Sequence, residues 1–292
     1  MFFHKHLRLD TKKSYEKAIR QLCRCCDVVY PNEITRTHLL NWRNTVVGEG
    51  IKPITWNSYL RHLKCLYKFG IENDLLIYKE NPCDKLFLRV GKPKRKILTE
   101  RQLIKLDFFL SSEENLPTAL NPQWFIQALV NTFRFTGIRR AQLLRLKIGD
   151  IDLYQKVIHI SPEINKNHEY HCIPISERLF PYIERLVLEL RKYKQSSDSQ
   201  LFNINIFRKT RYKGQTTTEY QMSHLFKVIS NKLGFQVSPH RFRHTVATNL
   251  MKNPDNLYVA KQLLGHKDVR VTLTYIESDV EMLREKVNSD LL

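Results

Sequence analysis

Four short stretches in the C-terminal part of the chain carry side chains that could act together on a phosphodiester. They are Thr136-Gly137-Ile138-Arg139, Asn165-Lys166-Asn167, His240-Arg241-Phe242-Arg243-His244, and Leu263-Leu264-Gly265-His266 with Tyr275 nine residues further on. Two guanidinium groups can bind the nonbridging oxygens of a phosphate in a bidentate manner and neutralise the charge that grows there in the transition state. Imidazole, ammonium and phenol groups can transfer protons or supply a nucleophilic oxygen. The four stretches therefore offer the residue types that phosphoryl transfer needs.

Taken singly, each stretch is commonplace. A histidine and an arginine three residues apart on a helix usually face solvent. A lysine in a turn is an ordinary polar turn residue, and Gly-His after two leucines is a routine helix end. Tyr275, between a threonine and an isoleucine, would by default be a partly buried packing residue. The prediction of chemistry therefore depends on the whole set.

The charge of the chain indicates a polyanion-binding protein. Its 48 Lys and Arg against 29 Asp and Glu give a net charge of +19 and a pI near 9.7. Residues 1–96 alone hold 20 basic and nine acidic side chains. Such an excess is typical of nucleic-acid binders, and a protein that is merely basic or sits on anionic lipid is the alternative. With no run of about 18 apolar residues and no secretory signal, we expect a cytoplasmic protein that does not span a membrane.

Neither a metal nor a nucleotide cofactor is expected. The six cysteines lack the paired spacing of a zinc site, and we expect them to be reduced thiols. Asp150 and Asp152 could share one face of a strand and hold a hard cation, but no further acidic residue is placed to complete that site. A solvated strand entry is the favoured interpretation of the pair. The chain also lacks a glycine-rich phosphate-binding loop.

The first 90 or so residues show helical periodicity and no strand pattern. One predicted helix begins at Asp10 or Thr11 and ends before Pro31, and a second begins at Thr35 and ends near Gly48. A third runs from about Thr55 to Phe69 and is expected to end at Gly70. Its polar side chains are the best candidates for facing a groove of duplex DNA, with a solvated helix face an equally good interpretation. The predicted DNA-binding residues of this region and the following linker are Arg43, Lys52, Asn57, Arg61, Lys64, Lys68, Lys94, Arg95 and Lys96.

The rest of the chain is mixed. We predict a helical domain over 1–90, a basic linker over 91–98, a second domain over 99–275 and a terminal helix over 276–292. A strand over 151–160 should pair with a strand over 172–175 and form a small antiparallel sheet. Helices are predicted at about 99–111, 122–134, 176–194, 218–233, 240–251, 257–264 and from 279 onward. The expected fold class is mainly α with a small antiparallel β-sheet.

Together the four stretches resemble the signature blocks of the tyrosine recombinases, also called phage-type integrases. All the blocks occur in order, with family-like spacing, between Thr99 and Tyr275. The first is similar to the Thr-Gly-x-Arg segment, and Lys166 matches the hairpin lysine by its offset from Pro174. His240 and Arg243 match a His-x-x-Arg pair, while Leu264-Gly265-His266 matches Leu-Gly-His. The resemblance implies a helical core-binding domain followed by a mixed α+β catalytic domain, as in the compact two-domain members.

The resemblance also implies a division of roles. Arg139 and Arg243 would hold the scissile phosphate, and Tyr275 would attack it to give a 3′-phosphotyrosyl intermediate and a free 5′-hydroxyl. Lys166 would be the general acid for the leaving oxygen. His240 would handle a proton, and His266 would add one more hydrogen bond to the phosphate. The covalent bond conserves the energy of the phosphodiester, so strand exchange through a Holliday junction would need neither metal nor ATP.

The partner implied is duplex DNA with an inverted-repeat core site, bound by a dimer that assembles into a synaptic tetramer. A stripe of apolar residues at helical spacing follows the tyrosine: Val280, Leu283, Val287 and Leu291. In relatives such a terminal helix docks on a neighbouring protomer, and we expect the same here. Packing of this helix on its own domain is the alternative.

Two positions depart from the family pattern. Gln142 stands three residues after the first arginine, where the family usually has Glu, and Asn167 stands where the hairpin turn usually has Gly. Asn tolerates a left-handed backbone, so we expect neither change to disable the site. Two other functions stay open: a DNA-binding accessory protein or repressor that no longer cuts, and a type IB topoisomerase, whose catalytic set is related.

Overall fold

The computed structural model describes residues 7, 9–91, 96–112, 116–165, 168–208 and 212–275. The chain divides into two compact units, Met1–Lys94 and Arg95–Leu292. Four predicted site residues or segments lie outside the described residues: Lys94, Arg95, Lys166 and the terminal helix over 276–292.

The first unit is a helical bundle of α1 (Leu9–Cys26), α2 (Arg36–Gly48) and α3 (Pro53–Glu72). The first helix packs against both of the others. Trp42 of α2 and Trp56 of α3 meet edge to face, with ring centroids 5.0 Å apart, in the centre of this unit's core. Both indoles are almost completely buried, so this pair joins the two helices that carry most of the predicted DNA-binding residues.

The expectation that Gly70 ends the third helix is wrong, because α3 continues to Glu72. A methyl group added at Gly70 would lie 2.5 Å from Cδ1 of Leu76. The glycine therefore leaves room for the Leu76 side chain, which packs against the helix at this point. Glycine weakens a helix interior by about 1 kcal/mol relative to alanine, and the packing of Leu76 offsets that cost.

The second unit contains most of the secondary structure. Its helices are α4 (Glu100–Ser111), α5 (Gln123–Thr136), α6 (Arg140–Leu143), α7 (Phe180–Lys192), α8 (Glu219–Leu233), α9 (Pro239–Leu250), α10 (Leu257–Leu264) and α11 (Val269–Leu273). The helix α5 is central: its buried side chains include Phe125, Leu129 and Phe133, and it packs against α4, α7 and α9. It forms the core on which the neighbouring elements assemble.

The predicted strand over 151–160 is in fact two strands joined by a turn. The strands β1 (Ile151–Asp152), β2 (Val157–Ile160) and β3 (His171–Pro174) form a three-stranded antiparallel sheet in that order. The Asp152 carboxylate accepts hydrogen bonds from the backbone N–H groups of Tyr154 and Gln155, which closes the turn. Hydrophobic periodicity alone did not show that this aspartate would fold the chain back.

Asp150 and Asp152, the pair considered as a cation site, both accept hydrogen bonds from nearby backbone N–H groups. Asp152 closes the turn after β1, and Asp150 accepts a hydrogen bond from the backbone N–H of Lys147 at 2.8 Å. Within the described ranges, no group of three or more His, Cys, Asp or Glu side chains is arranged to hold a metal ion. Within the described residues, no helix is both long and apolar enough to cross a membrane.

Candidate active site

The first arginine stands at a sharp turn between two helices. Thr136 is the last residue of α5, and Gly137 adopts a left-handed conformation with φ of 61°. Arg139 then caps α6, so the Thr-Gly-x-Arg stretch ends one helix before it begins the next. A methyl group on Gly137 would lie 3.0 Å from Cδ2 of Leu264. Glycine is thus required both for the backbone conformation and for the contact with α10.

The side chain of Arg139 is only partly satisfied. Its Nη2 donates a hydrogen bond to the carbonyl of Gly265 at 3.1 Å. Its Nη1 is buried and has no hydrogen-bond partner among the described residues. Burial lowers the pKa of this guanidinium below its usual value. A buried N–H without a partner is costly, at about 1–3 kcal/mol, and an anion bound here would remove that cost.

The second arginine is held by three acceptors. Arg243 of α9 donates from Nη1 to the carbonyl of Gly137 at 2.9 Å and from Nη2 to the carbonyl of Leu264 at 2.7 Å. Its Nη2 also lies 2.9 Å from Nε2 of His266. Burial, followed by the positive charge of Arg139, lowers the pKa of Arg243 to about 9. The backbone carbonyls of Gly137 and Leu264 therefore fix the orientation of the Arg243 guanidinium.

No carboxylate in the described part of the chain forms an ion pair with either arginine. Buried charges in proteins are normally paired, because burial of an unpaired ion is expensive. Two neighbouring guanidiniums without a counter-charge therefore form a site that favours an anion. A phosphate diester has the charge and the oxygen geometry to fill it.

The histidine after α10 is neutral at physiological pH. Burial, then the charges of Arg243 and Arg139, lower the pKa of His266 to about 4. Its Nδ1 lies 2.9 Å from the Thr272 hydroxyl, and its Nε2 faces the donor Nη2 of Arg243. The network therefore assigns the proton to Nδ1, which donates to Thr272, while Nε2 accepts from the arginine.

The tyrosine lies among these groups. Tyr275 follows α11, is 6% exposed, and stacks on the His266 ring at a centroid distance of 6.1 Å and an interplanar angle of 12°. The His244 ring is 5.6 Å away on centroids. A phenolate at Tyr275 would raise the pKa of both Arg139 and Arg243. The phenol therefore shares an electrostatic environment with the two guanidiniums within a single chain.

The remaining predicted histidine is at the edge of this cluster. His240, near the start of α9, is exposed and packs edge to face on His244 with ring centroids 4.2 Å apart. Desolvation by its neighbours, followed by the charge of Arg243, lowers its pKa. The structure thus brings Arg139, His240, Arg243, His266 and Tyr275 into one cluster.

Several residues of the cluster were not identified from the sequence. His171, the first residue of β3, faces the carbonyl of Leu263 with its Nε2 at 3.2 Å. Burial lowers its pKa, and the charges of both arginines act in the same direction. Gln142 and Asn165 are buried polar residues beside the first arginine and the β2–β3 turn. Of these three residues, only Gln142 was singled out in the sequence, because it departs from the usual glutamate of the family.

The predicted DNA-binding residues of the first unit differ in exposure and in their hydrogen bonds. Arg61 and Lys52 are exposed, and Arg43 donates to the side chain of its neighbour Asn44 at 3.2 Å. By contrast, the Asn57 amide forms two reciprocal hydrogen bonds with the backbone of Leu88, at 2.8 and 2.9 Å. These two hydrogen bonds attach α3 to the segment around Leu88, so Asn57 has a structural role in the first unit.

The two lysines of α3 have acidic neighbours. Lys64 forms an ion pair with Asp84 at 2.5 Å, and Lys68 lies 3.6 Å from Glu72. All four side chains are substantially exposed, so these pairs are weak and can exchange for phosphate. Lys96 precedes α4 and is exposed.

The pKa of His266 predicts a pH-dependent stability. The unfolded chain would bind a proton at this histidine below about pH 6.5, whereas the folded chain would bind it only near pH 4. The free energy of unfolding should therefore fall as the pH falls through this window, by about 2 kcal/mol between pH 7 and pH 5. Urea unfolding of His266→Gln at both pH values should show a smaller fall.

The exposed His224 offers a control, and His224→Gln should retain the full pH dependence. His171 and His240, whose pKa values are also lowered, contribute in the same direction and remain in both variants. A His266→Gln protein that loses as much stability as the parent between pH 7 and pH 5 would contradict the assignment.

The chain is similar to known proteins over most of its length. A model described as the phage integrase family matches residues 113–282, more than half of the chain. A Pseudomonas syringae protein provisionally named tyrosine recombinase XerC is 32% identical over 289 residues, which cover 97% of this chain and 61% of the relative. The similarly named Pseudomonas aeruginosa protein is 31% identical, with 97% and 68% covered. The tyrosine recombinase XerD of Listeria monocytogenes is 26% identical, with 92% and 88% covered.

Solved structures share the fold at lower identity. An integrase fragment of the Tn1549 transposon, in complex with circular intermediate DNA, has a TM-score of 0.75 at 19% identity, covering 98% of this chain and 96% of that one. A lambda integrase dimer bound to a core site has a TM-score of 0.68 at 18% identity, with 94% and 90% covered. The mainly helical architecture with a small antiparallel sheet is therefore that of the tyrosine recombinases.

The chain spans 61% and 68% of the lengths of its two Pseudomonas relatives. The family model begins ten residues before α5 and ends seven residues after Tyr275, and the relatives extend the match over both units. On these grounds the chain belongs to the phage integrase family, the tyrosine recombinases, a class of enzymes that cleave and rejoin DNA.

Proposed function

We propose that this chain is a site-specific DNA recombinase in which Tyr275 attacks a phosphodiester and forms a covalent 3′-phosphotyrosyl bond. The observation that carries the proposal is the pair of arginines, Arg139 and Arg243, which lie beside the phenol with no carboxylate partner in the described residues. This is an anion site with a nucleophile at its edge. It matches the charge change of phosphodiester exchange.

The guanidiniums act by charge stabilisation. Nη1 of Arg139, which has no hydrogen-bond partner among the described residues, is a donor available for a nonbridging oxygen. Arg243 is already held by two carbonyls and His266, so it needs little reorganisation when phosphate binds. Donors that are oriented before the reaction stabilise a transition state better than donors that must rearrange. The protein's own cations thus do the work that a metal ion does in other phosphoryl-transfer enzymes.

Proton transfer completes the reaction. The phenol of Tyr275 must lose its proton as its oxygen bonds to phosphorus, and the two adjacent guanidiniums stabilise the negative charge of the site. His240, at the edge of the cluster, is the group for handling that proton. Lys166 protonates the departing 5′-oxygen, so the products are the phosphotyrosine and a free 5′-hydroxyl. Attack by a second 5′-hydroxyl then restores a phosphodiester and frees the tyrosine, with no input of nucleotide energy.

A nicked suicide duplex tests this function. When a short 3′-terminal fragment diffuses away after cleavage, religation fails and the covalent protein–DNA adduct accumulates on a denaturing gel. We expect this adduct in the presence of a chelator. Salt-sensitive DNA binding without any adduct would instead identify an accessory DNA-binding protein. Relaxation of supercoiled plasmid irrespective of sequence would identify a topoisomerase.

We further propose that the first unit clamps the duplex. Its exposed cations Lys52 and Arg61 and the half-buried Arg43, together with Lys64 and Lys68, would contact phosphates, and the basic linker with Lys94, Arg95 and Lys96 would continue the same track. Asn57 is left out of this set, because its amide is bound to Leu88. The activity would take place on the nucleoid, in the cytoplasm, on a core site with inverted repeats.

The tail after the tyrosine is proposed to link protomers. Residues 276–292 carry the apolar stripe Val280, Leu283, Val287 and Leu291. Docking of this stripe on a neighbour would couple dimer and tetramer assembly to the position of Tyr275. Deletion of residues 279–292 should therefore leave monomer binding to a half-site but weaken dimer and synapse formation in gel-shift titrations. Unchanged assembly would exclude docking between protomers.

A further inference from the structure

The last turn of α10 presents its backbone carbonyls to side chains from three other elements. The final four carbonyls of an α-helix have no partner within the helix and must find one elsewhere. Here the backbone itself satisfies two of them, because the N–H of Gly265 donates to the carbonyl of Gln262 and the N–H of His266 donates to that of Lys261, both at 3.0 Å. The next three carbonyls along the chain accept from side chains.

Each of these three carbonyls has a donor from a different element of the second unit. Nε2 of His171, in β3, lies 3.2 Å from the carbonyl of Leu263. The next carbonyl, that of Leu264, accepts from Arg243 of α9 at 2.7 Å, and the one after it accepts from Arg139 at 3.1 Å. Two of the three donors are therefore the arginines of the anion site, and the third is a histidine that the proposed mechanism does not use.

The protonation of His171 follows from its partner. A carbonyl can only accept, so Nε2 of His171 carries the proton that it donates to Leu263. Burial lowers the pKa of this histidine below its usual value, and the charges of Arg139 and Arg243 act in the same direction. The imidazole is therefore neutral at physiological pH. It binds the helix end without adding a third positive charge beside the two guanidiniums.

The same imidazole lies beside the first arginine. A methyl group added at Gly265 would lie 3.4 Å from Cδ2 of His171 and 3.7 Å from Nη1 of Arg139. The imidazole and the guanidinium are thus on the same side of Gly265. This Nη1 is the buried nitrogen that is proposed to bind a nonbridging oxygen. His171 therefore contacts the end of α10 at the place where Arg139 faces the anion site.

We propose that His171 is a positioning residue, which holds the last turn of α10 so that its carbonyls direct both guanidiniums at one phosphate. Without the Nε2 donor, the carbonyl of Leu263 would lack a partner and would compete for the guanidinium of Arg243, which binds the next carbonyl along the chain. The orientation of that guanidinium would then no longer be fixed before the reaction. This inference rests on the proposed function, in which the two arginines stabilise the charge of the phosphate.

The variants H171M and H171Q test the inference in single-turnover cleavage of the suicide duplex at saturating protein. Methionine fills a similar volume without a donor, whereas the amide nitrogen of glutamine can donate from a position close to that of the imidazole Nε2. H171M should slow cleavage by about 10–100-fold, the usual effect of a small misplacement of catalytic groups. Its affinity for duplex DNA should be unchanged, because no charge is removed. H171Q should cleave within a few fold of the parent rate.

Gln127 of α5 provides a matched control. It is half-buried like His171, and its Nε2 donates to the carbonyl of Leu110 at 2.8 Å, near the C-terminal end of α4. Q127M also removes a side-chain donor from a helix end, but that helix end binds neither arginine of the anion site. Q127M should lower the unfolding temperature and cleave within a few fold of the parent rate. A loss in H171M that Q127M matches, or that H171Q does not restore, would overturn the positioning role.

A double-mutant cycle with Arg243→Lys separates positioning from a general loss of stability. H171M should slow the Arg243→Lys protein several fold less than it slows the parent, because one of the two guanidinium forks that His171 orients is already absent. Equal losses in both backgrounds would show that His171 acts independently of Arg243, which overturns the positioning role and leaves the proposed function standing. A parent protein that forms no covalent adduct contradicts the proposed function, and the positioning role is overturned with it.

Discussion

Replacement of Tyr275 by phenylalanine should abolish the covalent protein–DNA adduct while leaving salt-sensitive DNA binding intact. The substitution removes only the phenolic oxygen, which is the proposed nucleophile. The ring itself remains available to stack on His266 and to contact His244. Because the buried side chain keeps its volume, we expect a stability change of only about 1 kcal/mol, the usual contribution of one hydrogen bond.

The experiment compares adduct formation and DNA binding in the same preparation. Tyr258 of α10 supplies a control, because it is exposed and Tyr258→Phe should form the adduct at the parent rate. The affinity for duplex DNA and its dependence on salt should be the same for all three proteins. A Tyr275→Phe protein that still becomes covalently attached to DNA would show that another residue is the nucleophile.

Replacement of Arg243 by lysine should slow cleavage by about 10²–10³-fold, the usual effect of removing one preorganised transition-state donor. The guanidinium binds Gly137, Leu264 and His266 at once, and its planar fork is what makes that possible. A lysine ammonium is a point charge at the end of a flexible stem and cannot reproduce the fork. Because lysine retains the positive charge, the predicted loss of cleavage rate would be due to the geometry of the guanidinium and not to the net charge of the site.

Arg241, two residues earlier in α9, provides a matched control. Its guanidinium also binds backbone carbonyls, those of Lys96, Ile97 and Gln236. Arg241→Lys should therefore lower the unfolding temperature but change the cleavage rate only a few fold. Both variants are measured in single turnover with saturating protein, so that weaker DNA binding does not enter the rate. Equal rates for Arg243→Lys and Arg241→Lys would contradict the role of Arg243.

Several features of the fold could be predicted from the sequence because they depend on near neighbours along the chain. The predicted helix start near residue 99 and helix end near residue 264 are found, and each coincides with a local signal: the capping box of Thr99 and Gln102, and the left-handed Gly265 after α10. Two predictions failed at contacts between residues a few positions apart, which hydrophobic periodicity does not reveal. Gly70 is inside a helix because Leu76 packs on it, and the strand over 151–160 is interrupted because Asp152 closes a turn.

The type of chemistry was already contained in the sequence, since the residue types and their order identify a phosphoryl-transfer family. What the order of residues could not supply was the environment of each side chain. The neutral state of His266, the absence of a carboxylate beside the arginines in the described residues and the Gln142–Asn165 pair all arise only after folding. They depend on groups separated by tens to more than a hundred positions, which packing around α5 brings within hydrogen-bond distance. Periodicity describes the few residues on either side of a position, whereas burial and charge pairing depend on the whole folded chain.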